Sequence, residues 1–166
     1  MPKLFTIKKK SFIVVLGGGI QQTRCIKRCK KLGFLVCCFD INENCEGKKV
    51  ADIFFKISIK NYRDIILKLS EFKNIVAILA PATEIGNLTA CQIANKLDLP
   101  YNCEEVVKIT SNKLLMREKL DLLSLDNPKY FSLTNEKKGE FPVYLKENSL
   151  SFPCIVKPVD SSASRG

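Results

Sequence analysis

Short apolar, β-branched runs alternate with helical stripes through the first hundred residues, and this rhythm limits the chain to few folds. Phe12–Leu16 (FIVVL) is a continuous apolar run, as expected of a strand buried on both faces. After Gly17-Gly18-Gly19, residues Cys25, Ile26, Cys29 and Leu32 share one helical face, with Lys27, Arg28, Lys30 and Lys31 largely outside it. Gly33 supplies a C-terminal cap. Phe34–Phe39 (FLVCCF) reads as the next strand, closed by Asp40, and Ile53–Ile57 as a third. Tyr62, Ile65, Ile66, Leu69 and Phe72 form a helical stripe with Asn61 as its N-cap. Ile75–Ala80 (IVAILA) is another strand stopped by Pro81, followed by a helix with Ala90, Ile93, Ala94 and Leu97 on one face. The pattern predicts an α/β fold, a parallel sheet with helices on both faces.

Beyond Leu99-Pro100 the rhythm changes. Short helices are expected at Glu104–Ile109 and Ser111–Leu123, and a strand at Tyr130–Leu133. A charged turn follows at Asn135–Gly139, and Glu140–Asn148 suits either a helix or a strand. Cys154–Val159 (CIVKPV) reads as a strand, and Ser161–Gly166 as a loop of small residues. The expected division falls near Ile109–Thr110, giving domains 1–109 and 110–166.

The 166 residues are 46% hydrophobic and 27% charged, enough apolar material for an ordinary core. No stretch approaches the ~20 apolar residues of a membrane-spanning helix. Lys8, Lys9 and Lys10 before Ser11–Ile20 imitate a signal peptide, but three glycines interrupt the apolar run and no small-x-small cleavage site follows. The expected location is cytoplasmic. Eight cysteines without a histidine lack the paired CxxC spacing of a zinc site and read as reduced, mostly buried apolar residues. The net charge of +10 is concentrated early: residues 1–33 carry nine Lys or Arg and no acid. Aromatic residues are not interleaved with those charges, which argues against a nucleic-acid platform and for a basic tail beside a solvated helix face. A homo-oligomer is left open.

Two loops follow buried strands, where ligands of open α/β sheets collect. Gly17-Gly18-Gly19-Ile20-Gln21-Gln22 places glycines at a strand-to-helix turn, where a backbone can approach a ligand and a helix N-terminus favours an anion. Gly17 and Gly19 fit part of GxGxxG, and Asp40 stands near the place of a ribose-binding acid. Gln22, however, occupies the third glycine's position, which favours an anion or small-molecule site over a dinucleotide site. Tight strand–helix packing alone would also explain the glycines. In Pro81–Asn87, Thr83 can donate and Glu84 accept hydrogen bonds from an amine or hydroxyl; equally, Thr83 can be an N-cap with Glu84 favouring the dipole.

Lys157 stands inside an apolar run, where it must find a partner or snorkel to water. Ser161, Ser162, Ser164, Arg165 and Gly166 follow it. A lysine beside a loop of small donors suits a polyphosphate, while an edge-strand lysine next to a tail is the plainer account.

Thr110-Ser111-Asn112-Lys113, Met116-Arg117 and Phe152–Gly166 resemble the opening of an ATP-grasp domain. Ile13–Gly19 and Pro81–Asn87 resemble its companion pre-ATP-grasp domain, closest to the carbamoyl-phosphate synthase large-chain-like and biotin carboxylase-like branch. The resemblance runs from about Phe12 to Gly166. It implies a Rossmann-like pre-ATP-grasp domain followed by the start of an α+β ATP-grasp domain, in a ligase that uses MgATP to phosphorylate a carboxylate for attack by an amine or related nucleophile. Lys113 and Lys157 match the family's two ATP-contacting lysines, and Ser161, Ser162, Ser164, Arg165 and Gly166 the start of its mobile lid. Gly17, Gly18, Gly19, Thr83 and Glu84 would shape the site of an unidentified carboxylate or amine substrate. Ala163 stands where a glycine is common. The adenine hinge, the acidic magnesium ligands and the late catalytic arginine would lie beyond Gly166, so no catalytic or metal-binding residue is assigned here. Residues 1–166 are expected to be the N-terminal portion of a ligase and inactive alone. The alternatives are a non-catalytic module binding a small molecule or partner, and an NAD(P)-binding protein.

Overall fold

The computed structural model describes residues 11–133 and 141–160. The chain divides into two compact units, Met1–Val107 and Lys108–Gly166.

The first unit is built on four parallel strands, β1 (Phe12–Leu16), β2 (Leu35–Asp40), β3 (Ile53–Lys56) and β4 (Ile75–Leu79), in the order β3-β2-β1-β4. The connections are α1 (Ile20–Lys31), α2 (Glu46–Val50) and α3 (Tyr62–Leu69), and α4 (Glu84–Lys96) follows the last strand. Strand periodicity sorts the core onto two faces. Val14 and Leu16 of β1, with Cys37, Phe39 and Ile78, pack against Ile65 and Leu69 of α3 and Ala90, Ile93 and Ala94 of α4. Their neighbours Ile13 and Val15, with Val36 and Cys38, pack against Ile26 and Cys29 of α1. Both faces of β1 are therefore buried, which is why its sequence is apolar without alternation. The α/β parallel-sheet expectation holds.

The local stop signals also act as read. Gly33 takes φ +91° just past α1, a conformation that favours glycine. Asn61 Oδ1 accepts from the Asp64 N–H, and Thr83 Oγ1 from the Gly86 N–H, at the starts of α3 and α4. The short helix α2 has no counterpart in the sequence reading, because EGKKV carries no apolar period.

Helix α5 (Glu104–Ser111) leads to α6 (Lys113–Leu122), and Asn112 caps α6 by accepting from the Leu114 and Leu115 N–H groups at 3.0 Å each. Phe141–Glu147 is helical (α7), resolving the ambiguity at 140–148. Two expected strands do not form. Tyr130–Leu133 is irregular, because side chains tether this stretch back to α6: Asn127 bonds Arg117 and Asp121, and the Tyr130 hydroxyl donates to Asp121 at 2.9 Å. Cys154–Val159 is also irregular, with Ile155 81% and Val156 74% exposed. An apolar β-branched run becomes a strand only against a neighbour that pairs its N–H and C=O groups. Among the described residues no strand pairs with it. The expected charged turn at Asn135–Gly139 lies outside the described residues.

Candidate functional site

Strand order places a topological switch point between β1 and β4: the chain runs outward from β1 to β3, then returns to the other side of β1. The loops after these two neighbouring strands, Gly17–Gly19 and Ala80–Thr83, therefore meet at the carboxyl edge of the sheet. Ligands of open α/β folds occupy that crevice.

The glycine turn is wired from within. Gly17, at φ +96°, donates to Phe39 O at 2.8 Å and extends the ladder one residue beyond β1. Gly18 N–H donates to Asp40 Oδ2 at 2.7 Å, while Asp40 Oδ1 accepts from Asn42 N–H at 2.8 Å. Gly18 O accepts from Gly47 N–H at 2.7 Å. A β-carbon on Gly18 would lie 2.3 Å from Cys45 Sγ, and one on Gly47 would lie 2.5 Å from the Gly18 α-carbon. These glycines thus permit a close approach of α2 to the turn. Asp40, placed near the position of a ribose ligand by the sequence, has both oxygens engaged by backbone N–H groups. It latches the turn. The tight-packing account of the glycines holds for Gly18.

Gln22 was recognised in the sequence only as a missing glycine. It is 9% exposed, and its side chain folds back over the turn. A β-carbon at Gly17 would meet Gln22 Cγ at 3.2 Å, and one at Gly19 would meet Gln22 Oε1 at 2.9 Å. Gln22 Nε2 donates to Pro81 O at 2.5 Å, joining the two loops across the switch point. No sequence signal announces a contact between residues 22 and 81.

In the second loop Thr83 acts as the N-cap, with Oγ1 accepting from Gly86 N–H at 3.1 Å. Glu84 follows in the first turn of α4, and its Oε2 is buried without a hydrogen-bond partner. Burying a carboxylate oxygen without a donor is costly, and this oxygen is the one feature of Glu84 that its place in the first turn of α4 does not explain. Nearby in α4, Asn87 Oδ1 accepts from the Tyr101 hydroxyl at 2.5 Å. Burial, with the adjacent Cys91, pushes the Tyr101 phenol up, so it stays a donor.

In the second unit, Lys113 N–H donates to Val159 O at 2.8 Å, which brings the start of α6 beside the segment carrying Lys157. Lys113 is half-buried. Lys157 is exposed in an irregular segment, which corrects its expected place in a buried strand. Ser161, Ser162, Ser164, Arg165 and Gly166 lie outside the described residues. An open depression of about 380 Å³ in this unit is lined by Asp121, Asn127, Tyr130 and their neighbours. Its polar groups bond one another.

The cysteines are free thiols: five are buried, Cys25 and Cys154 half-buried and Cys103 exposed. Burial pushes Cys37 and Cys38 up to about 12 and, together with Cys25, Cys29 up to about 11. Among the described residues, no group of three or more His, Cys, Asp or Glu could hold a metal ion. No helix among them is long and apolar enough to cross a membrane.

The fold is that of the N-terminal domains of ATP-grasp enzymes, and the relatives that match this chain are ATP-grasp enzymes. One is a formate-dependent phosphoribosylglycinamide formyltransferase from Methanocaldococcus jannaschii, 28% identical over 160 residues, which cover 92% of this chain and 38% of the relative. A solved N5-carboxyaminoimidazole ribonucleotide synthetase in complex with ADP superposes with TM-score 0.75 at 19% identity, over 96% of this chain and 40% of its own. An L-amino acid ligase from Bacillus licheniformis superposes with TM-score 0.70 at 17% identity, over 93% of this chain and 39% of its own. The chain thus spans about two fifths of the length of these relatives, at their N-terminal portion. No family model matches the sequence.

Proposed function

We propose that the chain supplies the N-terminal part of an ATP-dependent carboxylate–amine ligase, or of a ligase using a related nucleophile, that works through an acyl phosphate. The observation that carries this reading is the similarity to the Methanocaldococcus formyltransferase, which continues through both units over 92% of the chain. The ADP held by a solved neighbour of the same fold supports ATP as the nucleotide.

On this reading the units divide the work. Lys113 and Lys157 would contact the phosphates of ATP, with Ser161, Ser162, Ser164, Arg165 and Gly166 forming the start of the loop above them. The Lys113–Val159 backbone bond supports the assignment, because it draws the two lysine-bearing segments together. Exposure of Lys157 suits a point charge that waits for polyphosphate better than a buried lysine would. Bound MgATP would supply the phosphoryl group and the charge neutralisation that phosphoryl transfer requires. The magnesium ligands belong to no cluster among the described residues and are assigned to the remainder of a protein of the relatives' length. The crevice between Gly17–Gly19 and Thr83–Glu84 would hold the other substrate. Phosphoribosylglycinamide, named for the Methanocaldococcus relative, is the first candidate. An NAD(P) reading is disfavoured by the wiring of the turn: Asp40 accepts from the Gly18 N–H, and the Gln22 side chain fills the space over Gly17 and Gly19.

A two-ligand map of backbone N–H shifts by NMR tests this division. MgATP should shift Lys113–Leu115 and Cys154–Val159, and phosphoribosylglycinamide should shift Gly17–Gly19 and Thr83–Asn87. ATP shifts confined to Gly17–Gly19 would overturn it.

A further inference from the structure

A strand–glycine–helix turn ordinarily receives an anion, because backbone N–H groups and the helix dipole converge there. This turn has lost much of that character. The Gly17 and Gly18 N–H groups donate to Phe39 O and Asp40 Oδ2. The space above Gly17 and Gly19 is filled by the Gln22 side chain. Pro81 O can only accept, so Nε2 is the end of the Gln22 carboxamide that faces it. That leaves Oε1 lying over Gly19, where no donor is paired with it among the described residues. In the first turn of α4, Glu84 Oε2 is buried without a donor. Two acceptor oxygens without a protein donor, one of them on a carboxylate, therefore lie in the first turns of the two helices that leave the switch point.

We infer that Gln22 is a specificity-determining residue, which turns this glycine turn from an oxyanion cradle into a site for a hydrogen-bond donor, an ammonium or hydroxyl group of a small ligand. The inference rests on the reading of the crevice as the substrate site. A phosphate entering the turn would set acceptor against acceptor at Gln22 Oε1 and negative charge against the Glu84 carboxylate. An ammonium or hydroxyl group would donate to the buried Glu84 oxygen, which no protein group pairs, and would take the place of water at Gln22 Oε1. The Nε2–Pro81 bond holds the acceptor in place, so discrimination is built into the free protein.

The test is a pair of NMR titrations of the full chain, one with glycinamide and one with inorganic phosphate, followed at the Gly19 and Glu84 backbone N–H and the Gln22 carboxamide signals. The wild type should respond saturably to glycinamide and not to phosphate. Gln22→Gly removes the acceptor and opens the turn, and should raise phosphate affinity about tenfold or more while weakening glycinamide by a similar factor. Gln22→Met fills the same volume without an acceptor. It should lose the glycinamide response without gaining phosphate, and it decides the matter if the glycine variant does not fold. Saturable phosphate binding by the wild type at these signals, or an unchanged glycinamide response in Gln22→Met, would overturn the inference and leave the crevice standing as a site. Silence of these signals to both ligands in wild type and variants would overturn the crevice reading itself, and the inference with it.

Discussion

Replacing Asp40 distinguishes a structural latch from a cofactor ligand. Its two carboxylate oxygens accept from the Gly18 and Asn42 N–H groups at 2.7 and 2.8 Å. Gly18 is buried, so Asp40→Ala strands a buried N–H, which costs roughly 1–3 kcal/mol; the exposed Asn42 N–H returns to water at little further cost. Loss of the charge-assisted part of both bonds brings the expected total to about 2–3 kcal/mol. With a urea dependence of ~1–2 kcal/mol per molar, the unfolding midpoint should fall by roughly 1–3 M, measured by circular dichroism. Asp40→Asn keeps one acceptor oxygen and should lose about half as much. NADH, followed by its fluorescence, should show no saturable binding to the wild type at micromolar concentrations. An Asp40→Ala protein of unchanged stability, together with NADH binding that this variant weakens, would refute the latch and restore the ribose-ligand reading.

The packing of α2 on the turn predicts that Gly18→Ala destabilises by about 1–3 kcal/mol and that Cys45→Ala relieves much of this, since the new methyl meets the Cys45 side chain. Gly47→Ala should find no such relief, because its methyl meets the Gly18 backbone; urea unfolding of the single and double variants checks both. Thr83→Ala removes the cap of α4 and should cost about 1 kcal/mol, with Thr83→Ser close to wild type. The thiols give a pH prediction. Their ordinary value is 9.0, and burial holds Cys37 and Cys38 near 12 in the folded chain. Above pH 9 the unfolded chain therefore binds fewer protons than the folded one, so stability present below pH 9 should decline between pH 9 and 12. An alkaline unfolding series checks the slope, and a native thiol titration should find Cys103 reactive with Cys37 and Cys38 protected.

The parallel sheet was legible because its strands are buried on both faces. FIVVL and IVAIL have no polar alternation, and the stripe from Tyr62 to Phe72 leaves little choice but a helix. Contacts that cross the sheet edge were not legible. Nothing near Gln22 announces Pro81, fifty-nine residues away, and nothing in EGKKV announces a helix, since α2 sits where Gly47 can pack on Gly18. The latch made by Asp40 was not legible either, because a carboxylate at a strand end serves a ribose hydroxyl or a backbone N–H equally well. Cys154–Val159 was misread for the opposite reason. Local propensity favoured a strand, but a strand exists only with a partner, and Ile155 and Val156 remain exposed. The two strand-end loops were thus located by pattern, while their wiring required long-range structure.

Calorimetric titration of MgATP into the wild-type chain and a Lys113→Met/Lys157→Met variant decides whether the second unit carries the proposed ATP-contacting lysines. Both substitutions keep the apolar stem and remove the charge, and a urea series on the variant checks that it remains folded. The wild type should bind MgATP saturably, with affinity weakened about tenfold or more when both charges are removed. Equal MgATP affinity in the two proteins, or binding lost only when the Gly17–Gly19 turn is altered, would contradict it.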